Sequence, residues 1–344
     1  SWAPVEMGTP TPPTLYLRLE DLAPAGIESW EDLARVEAAR LTWDADVLAP
    51  GSSGNLVAHI PGADSTVALI LGAHIDTPNS PGAMDDGSGS AILLEVARVL
   101  NDARLLHGGQ ALPPVDLYLA WFGSEELGVY GSSHFVATHQ DLLDRTLGML
   151  QIDCLTRPLD GVKADLVLET WSYGRHGDDS VPWPEYLSGV AREWGVETVP
   201  LNEYIYHSDN GGFAGFGVPN ANMIYRGEAM RRYGAIHYAA HIHDPYETVE
   251  TAREMGDVLE DMARVALATA LETSPESAPQ RVTPDPDRRA LFVASHTEAP
   301  MMTPIGLTDL GQTLVLAGFD VDMIPYGQAV TAQDLEDADP VSYT

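Results

Sequence analysis

Apolar and polar positions alternate with changing period along this chain. "TVALILGAH" (66–74), "VDLYLAWFG" (115–123) and "TLGMLQIDCL" (146–155) are short, nearly continuous apolar runs. Runs of that length mark strands buried on both faces. Between and after them the period lengthens. "SAILLEVARVLNDA" (90–103) is predicted as a largely apolar, buried helix, and "SSHFVATHQDLLDR" (132–145) and "PWPEYLSGVAREWG" (182–195) as further helices. "VPNANMIYR" (218–226) is predicted as a strand, and residues 249–272 carry apolar positions at helical spacing and close the unit. Upstream, "SWEDLARVEAAR" (29–40) is a predicted helix with an acidic first turn. "ARLTWDADV" (39–47) and "GNLVAHIPG" (54–62) are predicted strands joined by the turn "LAPGSSG". Strands alternating with helices predict an α/β fold, a three-layer sandwich around a central mixed, mostly parallel sheet.

The same pattern divides the chain. Residues 1–28 are Pro-rich and form an N-terminal extension or the remnant of an inserted accessory domain; residues 29–274 form the main α/β domain. Pro, Ser and Asp break the pattern at 275–286, which is a linker. Residues 287–344 open a second βαβ unit with "RRALFVASH", "GLTDLGQTLVLAGF" and "DVDMIPYG". At 58 residues this short α/β appendage is small for a core of its own. Ser1 is the first residue and no signal-peptide pattern follows it, so the expectation is a mature or excised form whose targeting segment is gone.

Charge narrows the function classes. The net charge is −33, and Lys163 is the only lysine. So acidic a surface argues against nucleic acid and anionic membranes as partners. No apolar run approaches the roughly 18–20 residues of a membrane helix. Cys154 is the only cysteine, which excludes an intrachain disulfide and thiolate-rich metal sites. Any metal must be held by His and carboxylate.

Acids and histidines gather where the apolar runs end. His74 and Asp76 share one face at the end of the first strand, as residues two apart do. A His there can bind a metal while an Asp accepts its other ring N–H; a solvated strand edge is the ordinary alternative. Asp85 and Asp86 follow "NSPGAM" and precede "GSGS", where they either cap the coming helix or, in the case of Asp85, bridge two metals. Glu125 and Glu126 end the second strand, as a solvated pair or as a base beside a ligand. Asp153 ends the third. In open α/β sheets the site lies beyond the carboxyl ends of the strands, where these groups converge. Of His237, His241 and His243, the "HDPYET" context favours His243, with His241 the alternative. No HExxH and no GxSxG motif is present.

The ordered set His-x-Asp, Gly-x-x-Asp-Asp-Gly-Ser-Gly, Glu-Glu-x-Gly, Asp and His-x-Pro-x-Glu-Thr resembles the M28 family of di-zinc aminopeptidases over residues 45–272. Spacings of 11, 41, 27 and 90 residues separate its implied ligands. The resemblance implies the zinc-dependent exopeptidase fold, two Zn2+ ions and a peptide N-terminus as substrate. His74 and Asp153 would hold one ion, Glu126 and His243 the other, and Asp85 would bridge them, with a cis peptide joining it to Asp86. Asp76 would orient His74, and Glu125 would be the general base that activates the attacking water. A carboxylate-rich site suits the ammonium of a free N-terminus. The family's secreted members imply an extracellular setting.

There are departures from the family pattern. Ser208-Asp209-Asn210 stands where the family often has Ser-Asp-His, and Ile242 stands where some members place a Tyr before the last His. Tyr204 or Tyr206 would then assist the oxyanion. The alternatives are a related dimetal carboxypeptidase or deacylase and a glutaminyl-cyclase-like acyltransferase. The first lacks an identifiable dimerisation insert here. The second works with one zinc, against which His74 and Asp153 both count.

Overall fold

A computed structural model describes residues 22–27, 29, 32, 35–36, 52–78, 80–106, 113–158, 163–170, 182–201, 208–227, 243, 247–281, 285–293 and 319–324. By contacts the chain divides into two compact units, Ser1–Ser52 and Ser53–Thr344. In the first unit a 3-10 turn spans Ala23–Ala25 and closes at Gly26, whose φ of 77° suits a residue without Cβ. The predicted helix at 29–40 and strand at 39–47 fall largely or wholly outside the described residues.

The second unit is built on a seven-stranded sheet ordered β1-β3-β2-β4-β7-β5-β6. The strands are β1 (Leu56–Ile60), β2 (Asp64–His74), β3 (Val115–Phe122), β4 (Thr146–Leu155), β5 (Ala164–Glu169), β6 (Val199–Leu201) and β7 (Asn220–Gly227). The four central strands β3, β2, β4 and β7 run parallel, while β1 joins β3 and β5 joins β7 antiparallel. The sheet is therefore mixed and mostly parallel, as the apolar runs predict. β5 and β6 add an edge that the hydrophobic pattern does not announce. β8 (Asp285–Val293) and β9 (Phe319–Ile324) form a separate parallel pair. The helix expected between them lies outside the described residues.

One face of the sheet carries α1 (Gly87–Leu106), α4 (Trp183–Glu193) and α7 (Gly256–Glu272); α7 packs against both α1 and α4. On α1, Ile92, Leu93, Val96 and Leu100 turn inward at helical spacing. Leu94 is exposed and Arg98 pairs with Glu95 and Asp102 in solvent, so α1 is amphipathic rather than buried all round. Trp183 is fully buried over Gly148, where a Cβ would meet the indole at 2.3 Å. Its Nε1–H donates to the Met149 carbonyl.

The opposite face carries α2 (Tyr130–Thr138), α3 (Gln140–Asp144) and α5 (Asn210–Ala214) over a smaller core of Ile70, Phe122, Phe135, Met149 and Phe213. The helix predicted at 132–145 breaks at His139 into α2 and α3. That predicted at 249–272 breaks at Met255 into α6 (Val249–Glu254) and α7, with Thr248 capping α6 through its hydroxyl. No described helix is long and apolar enough to cross a membrane.

Candidate metal centre

The carboxyl ends of β2, β3 and β4 lie side by side, since His74 pairs with Phe122 and Gly72 with Gln151. This register brings His74, the Glu125–Glu126 turn and Asp153 to one edge of the sheet. The loop after β2 adds Asp85, and the segment before α6 adds His243.

His74 is fully buried. Its Nδ1 lies 3.0 Å from the main-chain carbonyl of Asp76, which fixes the tautomer by accepting that ring proton. Nε2 then faces Asp85 Oδ1 at 2.9 Å and Asp153 Oδ1 at 3.5 Å. On the other side, His243 Nε2 lies 2.9 Å from Asp85 Oδ2 and 3.0 Å from Glu126 Oε1. Asp85 thus presents one oxygen to each imidazole. The structure brings all five donors together in two groups sharing Asp85. His237, His241, Ile242, Tyr204 and Tyr206 lie outside the described residues.

The Asp76 carboxylate does something the sequence does not show. Its Oδ1 is 3.8 Å from His74 Nδ1, and it accepts instead from the main-chain N–H of Glu125 (2.9 Å) and, through Oδ2, of Glu126 (3.2 Å). One residue therefore holds His74 by its backbone and the two glutamates by its side chain. Asp86 is also structural: its oxygens accept from His74 N–H (3.0 Å) and Gly89 N–H (2.9 Å), tying the end of β2 to the start of α1. Asp86 lies near His74 and Asp153 as well, but both its oxygens are engaged by main-chain N–H. The Asp85–Asp86 peptide is cis. Glu247, to which sequence reasoning gives no role, accepts from the backbone of both Asp85 and His243. Its place in "HDPYET" beside the last donor is the signal that points to it.

Among the described residues, four non-glycine residues hold positive φ: Ser124 (59°), Val129 (53°), Cys154 (84°) and His243 (55°). Ser124 precedes Glu125, Cys154 follows Asp153, and His243 is itself a donor. Such conformations cost roughly 1–3 kcal/mol each and gather where a site over-determines the chain.

The electrostatics call for cations. The carboxylates of Asp85 and Asp153 are fully buried and that of Glu126 nearly so; they face imidazole nitrogens, and among the described residues no Arg or Lys pairs with them. Buried carboxylates in that condition are very costly unless paired or coordinated. Burial pushes Glu125 well above the usual carboxylate range, with Asp153, Asp209 and Asp85 adding to it against His74. Burial disfavours charge on His243, but Asp85 and Glu126 outweigh it and hold the ring up to about 10. Donor separations of 2.9–3.5 Å approach the edge of about 3.4 Å between ligands of a tetrahedral zinc. Cys154 adjoins Asp85 and Asp153, and burial drives its thiol well up. Two imidazoles and three carboxylates suit borderline divalent ions.

The two halves differ in access. The His74, Asp85 and Asp153 side chains are sealed, whereas His243 is 24% and Glu126 10% exposed. Ile75 and Leu127, each next to a site residue in sequence, are exposed.

A mixed α/β sheet with paired His-carboxylate groups at its carboxyl edge defines the class: an α/β protein with a candidate two-metal centre. The profile of Peptidase family M28 matches residues 55–270, and the chain belongs to that family. It is 31% identical over 180 residues to leupeptin-inactivating enzyme 1 of Streptomyces exfoliatus, covering 51% of this chain and 36% of that one. It is 28% identical over 211 residues to leucine aminopeptidase 1 of Blastomyces gilchristii, covering 59% and 52%. The chain thus spans about a third to a half of the length of these relatives. The structure of BSAP, a zinc aminopeptidase from Bacillus subtilis, shares its fold with a TM-score of 0.51 at 23% identity, covering 65% of this chain and 52% of that one.

Proposed function

We propose that the protein is a two-zinc aminopeptidase that removes the N-terminal residue of a peptide. The observation that carries this reading is the cluster of buried carboxylates on Asp85, Glu126 and Asp153 that faces two imidazole nitrogens and, among the described residues, has no Arg or Lys to balance it. His74 and Asp153 would hold one ion, Glu126 and His243 the other, and Asp85 both. When bound, the ions supply Lewis-acid polarisation of the scissile carbonyl and acidify the attacking water.

The chain's residues do the rest. Glu125, its carboxyl raised by burial, accepts the water's proton and passes it to the departing amine. Asp76 holds the Glu125 backbone and so aims the base. The excess of carboxylates favours a substrate ammonium. The named relatives support an exopeptidase acting at the amino end.

The test is a metal count on purified protein beside cleavage of a panel of aminoacyl p-nitroanilides. A chelator abolishes cleavage, zinc restores it, and N-acetylated peptides resist. Activity surviving thorough metal removal would refute the proposal. Rapid cleavage of acetylated peptide would move the assignment to a deacylase or carboxypeptidase.

A further inference from the structure

Glu247 is fully buried beside the metal centre and takes no part in it directly. Its Oε1 accepts from the main-chain N–H of Asp85 at 2.5 Å. Its Oε2 accepts from the main-chain N–H of His243 and from the Ser80 hydroxyl, both at 2.9 Å. Its carbonyl accepts from Ala83 N–H at 3.3 Å. One side chain therefore fastens the bridging donor, 162 residues away, to the last donor, four residues away.

Only a carboxylate does this. An ionised Glu accepts at both oxygens, whereas Gln offers one acceptor and turns an NH2 toward the other N–H. The bonds also have work to do at these positions. His243 holds a φ of 55°, a conformation that persists only where neighbours over-determine it. Asp86 serves the other half of the site, accepting from His74 and Gly89 and making no bond to His243 or Glu126. The two acids divide the centre between them.

We propose that Glu247 is a positioning residue that sets the spacing of Asp85 and His243, and with it the affinity of the second metal position more than that of the first, since Asp85 serves both and His243 only the second. The proposal rests on the two-metal function above. It assigns Glu247 no contact with metal or substrate.

The experiment is an equilibrium zinc titration of the full chain against a competing chelator, comparing the native protein with Glu247→Gln, Glu247→Ala and the exposed control Glu250→Gln. The native chain and the control take two zinc ions. In Glu247→Gln one binding step weakens by about 10–100-fold, the usual effect of losing an outer partner of a ligand, and the other by clearly less. Glu247→Ala shows the same split more strongly; if Ala prevents folding, the Gln variant decides. Two unchanged steps in Glu247→Gln overturn the proposal. So does equal weakening of both, which would mark Glu247 as a general support of the fold. A native chain that binds no zinc would refute the two-metal function itself, and the two failures are distinguishable.

Discussion

Replacing Asp76 by Asn separates two ways in which this residue can serve the site. Its carbonyl faces His74 Nδ1 at 3.0 Å, and Asn keeps that carbonyl. Its carboxylate accepts from Glu125 and Glu126 N–H at 2.9 and 3.2 Å, and Asn keeps only one acceptor there. A hydrogen bond to a charged acceptor contributes about 1.5–3 kcal/mol. The Asp76 side chain is 28% exposed, so water repays part of the loss, leaving about 1–2 kcal/mol. At 1.36 kcal/mol per factor of ten, this is roughly a 5–30-fold effect. It falls on the turn that carries the proposed base and one second-site donor. The Asp76→Asn protein is therefore expected to lose about 5–30-fold in kcat/KM on an aminoacyl p-nitroanilide. Zinc affinity measured in a His243→Ala background, which retains His74, Asp85 and Asp153, is expected to be unchanged by Asp76→Asn. A tenfold or greater loss of zinc affinity in that background would refute the reasoning. It would show that the Asp76 carboxylate, 3.8 Å from the ring, governs His74 after all.

Glu125→Gln is expected to lower kcat by about 10²–10⁴-fold while zinc stoichiometry is unchanged; a near-native kcat would show that another group takes the proton. Gly148→Ala places a Cβ 2.3–2.6 Å from three atoms of the buried Trp183 ring and is expected to cost about 1–3 kcal/mol by overpacking. A thermal melt reads this, and an unchanged Tm would mean the indole has room to shift. Arg226 and Glu169 form a buried pair at 2.7 Å, yet burial outweighs Arg226 and raises the Glu169 carboxyl to about 7. Because that value lies above the unfolded one of about 4.3, Glu169's contribution to stability is full below about pH 4 and is lost as pH rises through 7. Arg226→Met strands the carboxylate only where it is ionised, so urea unfolding should show a loss of about 3–5 kcal/mol at pH 8 and a clearly smaller one at pH 5. Equal losses at the two pH values would argue against an ionised Glu169.

The proposed donors carried by the strands are legible because they close recognisable runs. His74, Asp153 and the Glu125–Glu126 pair follow apolar stretches too short for helices, and parallel pairing of β3, β2 and β4 then aligns their ends. Less legible was whatever depends on contacts across the chain. β5 and β6 are short strands at one end of the sheet, and the edge strand β6 contains a proline, so neither carries a strong period. The breaks at His139 and Met255 leave the helical spacing on either side nearly intact, and periodicity alone reads through them. Glu247 reaches Asp85 across 162 residues, a separation at which sequence pattern holds no information. The Asp76 carboxylate turns to backbone N–H groups, and backbone donors are invisible in a list of side chains.

The same distinction explains why the two halves of the centre differ in character. His74 and Asp153 stand on central strands and are fully buried, so packing, and for His74 its ladder pairing with β3, holds them in place. Glu126 and His243 lie outside helices and strands, and their positions depend on individual hydrogen bonds to Asp76 and Glu247. Preorganisation is thus supplied by the sheet on one side and by two carboxylates on the other. The loop-borne half is also the more exposed, where a substrate must enter and a product leave. A site of this kind concentrates its vulnerability in residues that touch neither metal nor substrate. Substitutions at Asp76 and Glu247 should therefore weaken one metal position selectively, whereas damage to β2 or β4 should disturb the core and both positions together.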